Sequence, residues 1–290
     1  MSENLGILLS DLDLSKISNP ELPLPAEDGR IPVYNGDGYA SQQPHPLSEE
    51  FILFATNLIY PVLDIGAAYG LISIKALKKG ATVICNEIEK KQLDYIAHLE
   101  TITIEEKKRL YLKHGSILEI EFPMNSIGAI HMSRVMHFFK PDEVELFFKK
   151  AYKWLVPNGR IYIITMSQYH YANPEGFTDY YNSQIKKGVE FPGMINDYKF
   201  KDEKYVLNAI DPIVMLRVAN KYGFICKKIE LSGGKDDDNY TCAILIKDYH
   251  HDKWFFINFV FIECVYPLNK NKLVNYKKMG FFDVYIELSS

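Results

Sequence analysis

Between residues 48 and 246, short apolar runs alternate with stretches whose apolar residues recur every three or four positions. Residues 62–65 (Val-Leu-Asp-Ile) read as a buried strand. Residues 70–79 read as a helix turning Leu71, Ile74, Ala76 and Leu77 to one face. The alternation continues with a strand at 81–86, a helix at 89–101 and a short helix opened by the capping box Thr103-Ile104-Glu105-Glu106. Strands follow at 110–113 and 127–132, then a helix at 141–155 with Pro141 in its first turn. Pro157-Asn158-Gly159 turns the chain into a strand at 160–166. A helix at 212–222 and strands at 224–231 and 240–246 complete the pattern. Ahead of the first strand, Ser48-Glu49-Glu50 predicts a helix capped by Ser48, with Phe51, Phe54, Ala55 and Leu58 on its apolar face. Strands that alternate with helices predict an α/β fold, a doubly wound and mainly parallel seven-stranded sheet.

Three segments break the rhythm. Residues 1–47 carry Pro20, Pro23, Pro25, Pro32, Pro44 and Pro46 and read as an extended arm lying as a lid over the core domain, 48–246. Residues 167–211 hold Tyr169, His170, Tyr171, Tyr180 and Tyr181 among Asn and Gly, the composition of a substrate lid inserted at the ligand end of a sheet. Residues 247–290 form a C-terminal extension with a final alternating strand, Asp283-Val284-Tyr285-Ile286-Glu287-Leu288.

Composition narrows the classes. Hydrophobic residues make up 47% of the chain and charged residues 24%, as in an ordinary folded domain. The net charge of −4, without long Lys/Arg blocks, argues against a nucleic-acid partner. Cys85, Cys226, Cys242 and Cys264 stand far apart and read as buried reduced thiols. His250-His251 lacks a third ligand at metal spacing, so no metal is expected, and Asp236-Asp237-Asp238 reads as an exposed turn. The mixed acidic and apolar residues 1–18 make no secretory signal, and residues 254–266 are too short and too polar for a membrane span. A cytoplasmic protein is the expectation. Residues 254–266 read as core, with a homodimer contact or a membrane contact as the alternatives.

The chemistry concentrates in Val62-Leu63-Asp64-Ile65-Gly66-Ala67-Ala68-Tyr69-Gly70 and in Asn86-Glu87 at the end of the next strand. A strand, a small-residue loop, a helix and a second strand tipped with a carboxylate make a nucleoside-binding βαβ unit. Gly66 and Gly70 allow close approach of backbone to a ligand, and a carboxylate suits the two hydroxyls of a ribose. Dinucleotide loops read G-x-G-x-x-G, whereas this one reads Asp-x-Gly-x-x-x-Gly. An acidic group there repels a pyrophosphate and attracts an ammonium or sulfonium, which disfavours a nicotinamide dehydrogenase.

This loop resembles motif I of the class I S-adenosylmethionine-dependent methyltransferases. Later landmarks keep the family's order: Gly115-Ser116-Ile117, Ser133 to His137 after the fourth strand, Leu155-Val156-Pro157-Asn158-Gly159-Arg160 before the fifth, and Tyr222-Gly223-Phe224 before the sixth. The resemblance implies a Rossmann-like methyltransferase fold with S-adenosyl-L-methionine as cofactor. It implies Asp64 facing the methionine ammonium, with Gly66, Ala67, Ala68 and Gly70 wrapping the amino-acid and ribose portions. Glu87 would accept from the ribose hydroxyls and Ile88 would lie against the adenine. Ser116 and Ile117 would meet its edge, and Ser133 and Arg134 would pass beside the methionine end. The family often has glycine where Ala68 stands and Asp where Ser116 and Gly128 stand.

His137, beyond the fourth strand, is the first candidate for a catalytic base, with a hydrogen-bonded structural histidine as the other reading. Tyr169 and His170 come next, and His131 reads as core. Tyr39, Gln43, His45, Tyr171 and Tyr180 are the candidates to meet the acceptor. The expected reaction is in-line transfer of a methyl group to O or N of a small molecule. A protein methyltransferase and a non-catalytic cofactor-binding module are the alternatives.

Overall fold

A computed structural model describes residues 5–36, 38–170, 173–200, 203–233, 239–248, 262–263 and 286–287. In chain order the arm contributes β1 (Ile7–Leu8), two short 3-10 turns, β2 (Ile31–Pro32) and β3 (Tyr39–Ala40). The core follows as α1 (Pro46–Ala55), β4 (Val62–Ile65), α2 (Leu71–Lys78), β5 (Val83–Glu87), α3 (Lys90–Ala97), α4 (Ile104–Lys107), β6 (Leu110–His114), β7 (Ile127–Ser133), α5 (Pro141–Trp154) and β8 (Leu155–Met166). The insertion holds α6 (Phe177–Lys186) and the hairpin β9 (Met194–Phe200) and β10 (Glu203–Asn208). Then come α7 (Pro212–Lys221), β11 (Phe224–Gly233) and β12 (Asn239–Lys247).

One sheet runs β1-β6-β5-β4-β7-β8-β12-β11. Strands β6 to β8 pair in parallel, while β12 is antiparallel to both β8 and β11. The seven expected strands are all present. An eighth, β1 from the arm, pairs antiparallel with β6 and covers that edge. A two-residue strand carries too little periodicity to be read from sequence.

Strand alternation decides the two core faces. Leu63, Ile65, Ile130 and Ile163 pack under α5 and α7 through Phe147, Phe148, Trp154, Met215 and Val218. Val62, Val83, Ala129 and Ile164 pack under α1, α2 and α3 through Phe51, Leu77, Leu93 and Ile96. The sheet is therefore wound on both faces, and the carboxyl ends of β4, β5 and β7 open at one edge.

Two boundaries differ from expectation. Helix α1 begins at Pro46, capped by His45, whose Nδ1 accepts from the Leu47 N–H at 3.1 Å. Proline's preset φ favours it at the first helical position, and Ser48 therefore lies inside the helix, buried. Strand β8 begins at Leu155 rather than 160. Ile127 pairs with Leu155 and Ala129 with Arg160, so residues 156–159 bulge, with Asn158 at φ 63°. The Lys247 ammonium holds that bulge by donating to Leu155 O at 2.7 Å and Asn125 Oδ1 at 2.8 Å.

Cys85 and Cys242 are buried free thiols, and Cys226 is partly buried and free. The final alternating strand is described only at residues 286–287. Cys264, His250-His251, Asp236-Asp237-Asp238 and most of residues 254–266 lie outside the described residues.

Candidate active site

The carboxyl edge of β4, β5 and β7 opens into a cavity of about 760 Å³, roofed by arm residues 30–45 and bounded by the start of the insertion. That size suits a small ligand with a partner beside it. The loop after β4 is shaped by left-handed backbone: Gly66, Ala68 and Gly70 have φ of 67°, 49° and 81°. A Cβ on Gly66 would strike the Val135 side chain, and one on Gly70 would press on Ile96. The close approach these glycines permit in the free protein is thus to the protein's own β7 and α3 sides. The amides of Gly66 and Ala67 both donate to Asn86 O, which ties the loop to the end of β5.

Glu87 closes β5. One carboxylate oxygen accepts from Ala68 N–H at 2.8 Å, the other from Ile88 N–H at 2.8 Å and Glu89 N–H at 3.4 Å. Burial raises its pKa, and these three amides oppose that rise. Ile88, at the rim of the same cavity, stays 60% exposed. Asn86 donates to Lys113 O and Gly115 O, each at 2.9 Å, which fixes the loop carrying Ser116 and Ile117.

Asp64 sits differently from a carboxylate simply facing a ligand. Its register partner on β7 is His131, so both side chains rise from the same face. One oxygen accepts from His131 Nδ1–H at 2.7 Å, the other from the Ser73 hydroxyl at 2.7 Å. An ionised carboxylate only accepts, so Nδ1 carries the proton. His131 Nε2 lies 2.9 Å from the Ser48 hydroxyl, and the imidazole stacks on Phe51 at 5.0 Å. Ser48, His131, Asp64 and Ser73 form one buried relay, and Ser48, His131 and Asp64 border the cavity. His131 is core as expected, and also cavity wall. No signal in a lone strand histidine announces that double position.

Three further imidazoles border the cavity. His45 Nε2 meets the Ser232 hydroxyl at 3.0 Å. His170 packs its ring on Tyr240 at 5.1 Å. His137 sits in a 3-10 turn, Met136–Phe138, and its Nδ1 is buried without a hydrogen-bond partner among the described residues. Burial, with His170 and Arg134 nearby, lowers the pKa of His137 to about 3. Burial, then Arg134, lowers those of His45 and His170 to about 4. All three are neutral near neutral pH.

Of the residues singled out from sequence, Asp64, Gly66, Ala67, Ala68, Glu87, Ile88, Ser116, Ile117, Ser133, Arg134 and His137 border this one cavity. Tyr39, Gln43, His45 and His170 border it from the arm and the insertion. Gly70 lies just behind, capping α2. Tyr169 and Tyr180 stand away from it, 37% and 46% exposed; Tyr180 packs on Phe177 of its own helix. Tyr171 lies outside the described residues. Sequence reading gave Ser48 only as a helix cap and Tyr69 only as part of the loop after β4, and it did not single out Tyr95 of α3 or Tyr240 of β12; all four border the cavity. Among the described residues no group of His, Cys, Asp and Glu is placed to hold a metal. No described helix is long and apolar enough to cross a membrane.

Residues 62–159, from β4 to the β8 bulge, match the family model of a methyltransferase domain. An S-adenosylmethionine-dependent methyltransferase from Methanosarcina mazei superposes with a TM-score of 0.53 at 15% identity, over 71% of this chain and 99% of that one. Another, from Mesorhizobium loti, gives 0.50 at 14%, over 69% and 98%. The 1,6-didemethyltoxoflavin-N1-methyltransferase of Burkholderia thailandensis, solved with its acceptor and S-adenosylhomocysteine, gives 0.51 at 14%, over 70% and 77%. No curated protein matches the chain by sequence. Residues 62–159 thus match a methyltransferase domain, and the chain shares the fold of these S-adenosylmethionine-dependent methyltransferases.

Proposed function

We propose that the protein transfers the methyl group of S-adenosylmethionine to an oxygen or nitrogen of a small-molecule acceptor held in the 760 Å³ cavity. The observation that carries the cofactor half is Glu87. Its carboxylate is anchored at 2.8 Å by one amide on each oxygen, Ala68 and Ile88, and the Glu89 amide stands off at 3.4 Å, so each oxygen offers its second lone pair to a ribose hydroxyl, with the exposed Ile88 face beside it for the adenine. Asp64, oriented by His131 and Ser73, supplies negative charge at the loop for the ammonium and sulfonium. The arm closes the cavity: the Tyr69 hydroxyl donates to Pro32 O at 2.6 Å, and Tyr69 packs edge-on against Tyr34 and Tyr95.

Methyl transfer from a sulfonium needs orientation and exclusion of water more than proton chemistry. Neutral His137 can accept a hydrogen bond from an acceptor O–H or N–H and hold its lone pair in line. Its low proton affinity makes it an orienting group first and a base only where a bound anion offsets Arg134. Thermal-shift titration tests the reading. S-adenosylmethionine and S-adenosylhomocysteine should raise the melting temperature and NAD should not; no shift with either of the first two would overturn it.

A further inference from the structure

We infer that the acceptor carries an anionic group, a carboxylate or an equivalent oxyanion, and that Arg134 is its anchor with His137 and His170 beside it; this rests on the function proposed above. Among the residues bordering the cavity, the carboxylates are Asp64 and Glu87, and both lie on the β4–β5 side. Each is already engaged, one by His131 and Ser73, the other by backbone amides. Arg134, His45, His137 and His170 border the same cavity, and Arg134 lies near enough to all three imidazoles to disfavour their protonation. Arg30 also reaches the cavity, but it is paired with Asp28 at 2.6 Å. Arg134 has no carboxylate partner among the described residues.

The backbone fixes where Arg134 stands. Its φ of 58° is left-handed, and its N–H donates to Ile164 O on β8 at 2.7 Å. The guanidinium lies over the Tyr240 ring, 4.7 Å from the centroid. Tyr240 is the second residue of β12, three strands from β4 in the order β4-β7-β8-β12, roughly 14 Å across the sheet at the usual spacing. His170 touches the other part of the same ring. The guanidinium therefore lies on the β12 side of the cavity, against the ring that His170 also packs on. A concave, partly dry site with an unpaired guanidinium and neutral imidazoles favours an anion, and a planar fork suits a carboxylate in two contacts.

Two sources could supply that anion: the acceptor, as inferred, or the cofactor's own carboxylate. Protein saturated with S-adenosylhomocysteine is titrated with benzoate and with benzamide, an uncharged isostere, and binding is followed by thermal shift and by histidine ring NMR. Benzoate should bind, moving the His137 and His170 resonances, and benzamide should bind at least about tenfold more weakly. Arg134→Gln should weaken benzoate binding about tenfold or more, while Arg134→Lys, which keeps the charge, should retain part of it. Equal binding of benzamide, or no binding of benzoate, overturns the inference. So does an Arg134→Gln variant whose main loss is affinity for S-adenosylhomocysteine, which would give the anion to the cofactor. Wild-type protein that fails to bind S-adenosylhomocysteine would instead overturn the proposed function.

Discussion

Glu87 and His137 both border the cavity, and each is held in a different way. Glu87 accepts from backbone amides on both oxygens, so Glu87→Gln keeps the shape but loses a charge-assisted acceptor. Titration calorimetry should show S-adenosylhomocysteine binding weakened about tenfold or more. His137 has a buried nitrogen with no partner, which costs about 1–3 kcal/mol to leave unpaired. His137→Phe should therefore leave folding stability at neutral pH unchanged or higher by denaturant titration, while turnover falls. A fall in stability would mean that the imidazole is a structural group after all. Asp64 and Glu87 were legible as a pair because each ends an apolar strand. The His131 contact to Asp64 was not, because strand register, not spacing along the chain, brings them together.

The arm and α1 show how elements were read well in type and less well in detail. Helix α1 was legible from its apolar face, but its start was not. His45 caps it and Pro46 opens it, which buries Ser48 and frees it to meet His131. The arm was expected as a lid; its residues 30–45 border the cavity, and the Tyr69 hydroxyl fastens it at Pro32. Tyr69→Phe removes one hydrogen bond, worth about 1 kcal/mol, at the point where the arm meets the cofactor loop. Stopped-flow displacement should then show S-adenosylhomocysteine leaving several-fold faster, with hydrogen exchange increased across residues 30–45. An unchanged off-rate would mean that the arm does not gate the cofactor.

Across the whole molecule, His170, buried, and His45 and His137, half-buried, are held as neutral imidazoles, with folded pKa values lowered to about 4 for His170 and His45 and about 3 for His137. In the unfolded chain they titrate near 6.5. Between those limits the unfolded state binds more protons, so their contribution to stability is complete above about pH 6.5 and is lost as pH falls toward 4. Glu87 and Asp211, whose pKa values burial raises, act in the opposite sense at the acid end of that window. Denaturant titrations between pH 7.5 and about 4.5 should show declining stability. The decline should be shallower in His137→Phe, and an equal slope would remove His137 from the set.

The alternation of apolar runs and amphipathic stretches sufficed for the α/β class, the parallel sheet and the cofactor loop, because strand and helix periodicities act locally and the βαβ unit lies in one continuous stretch. For the second half of the site the sequence offered Arg134, His45, His137 and His170 as separate candidates, and only the tertiary structure grouped them and added Tyr240. The guanidinium follows β7, the imidazoles come from the arm, a 3-10 turn and the insertion, and the aromatic floor comes from β12. Those residues are distant along the chain, and each alone resembles ordinary core or surface. Sheet order and one left-handed residue, Arg134, bring them to a common space, where the anion is inferred to bind.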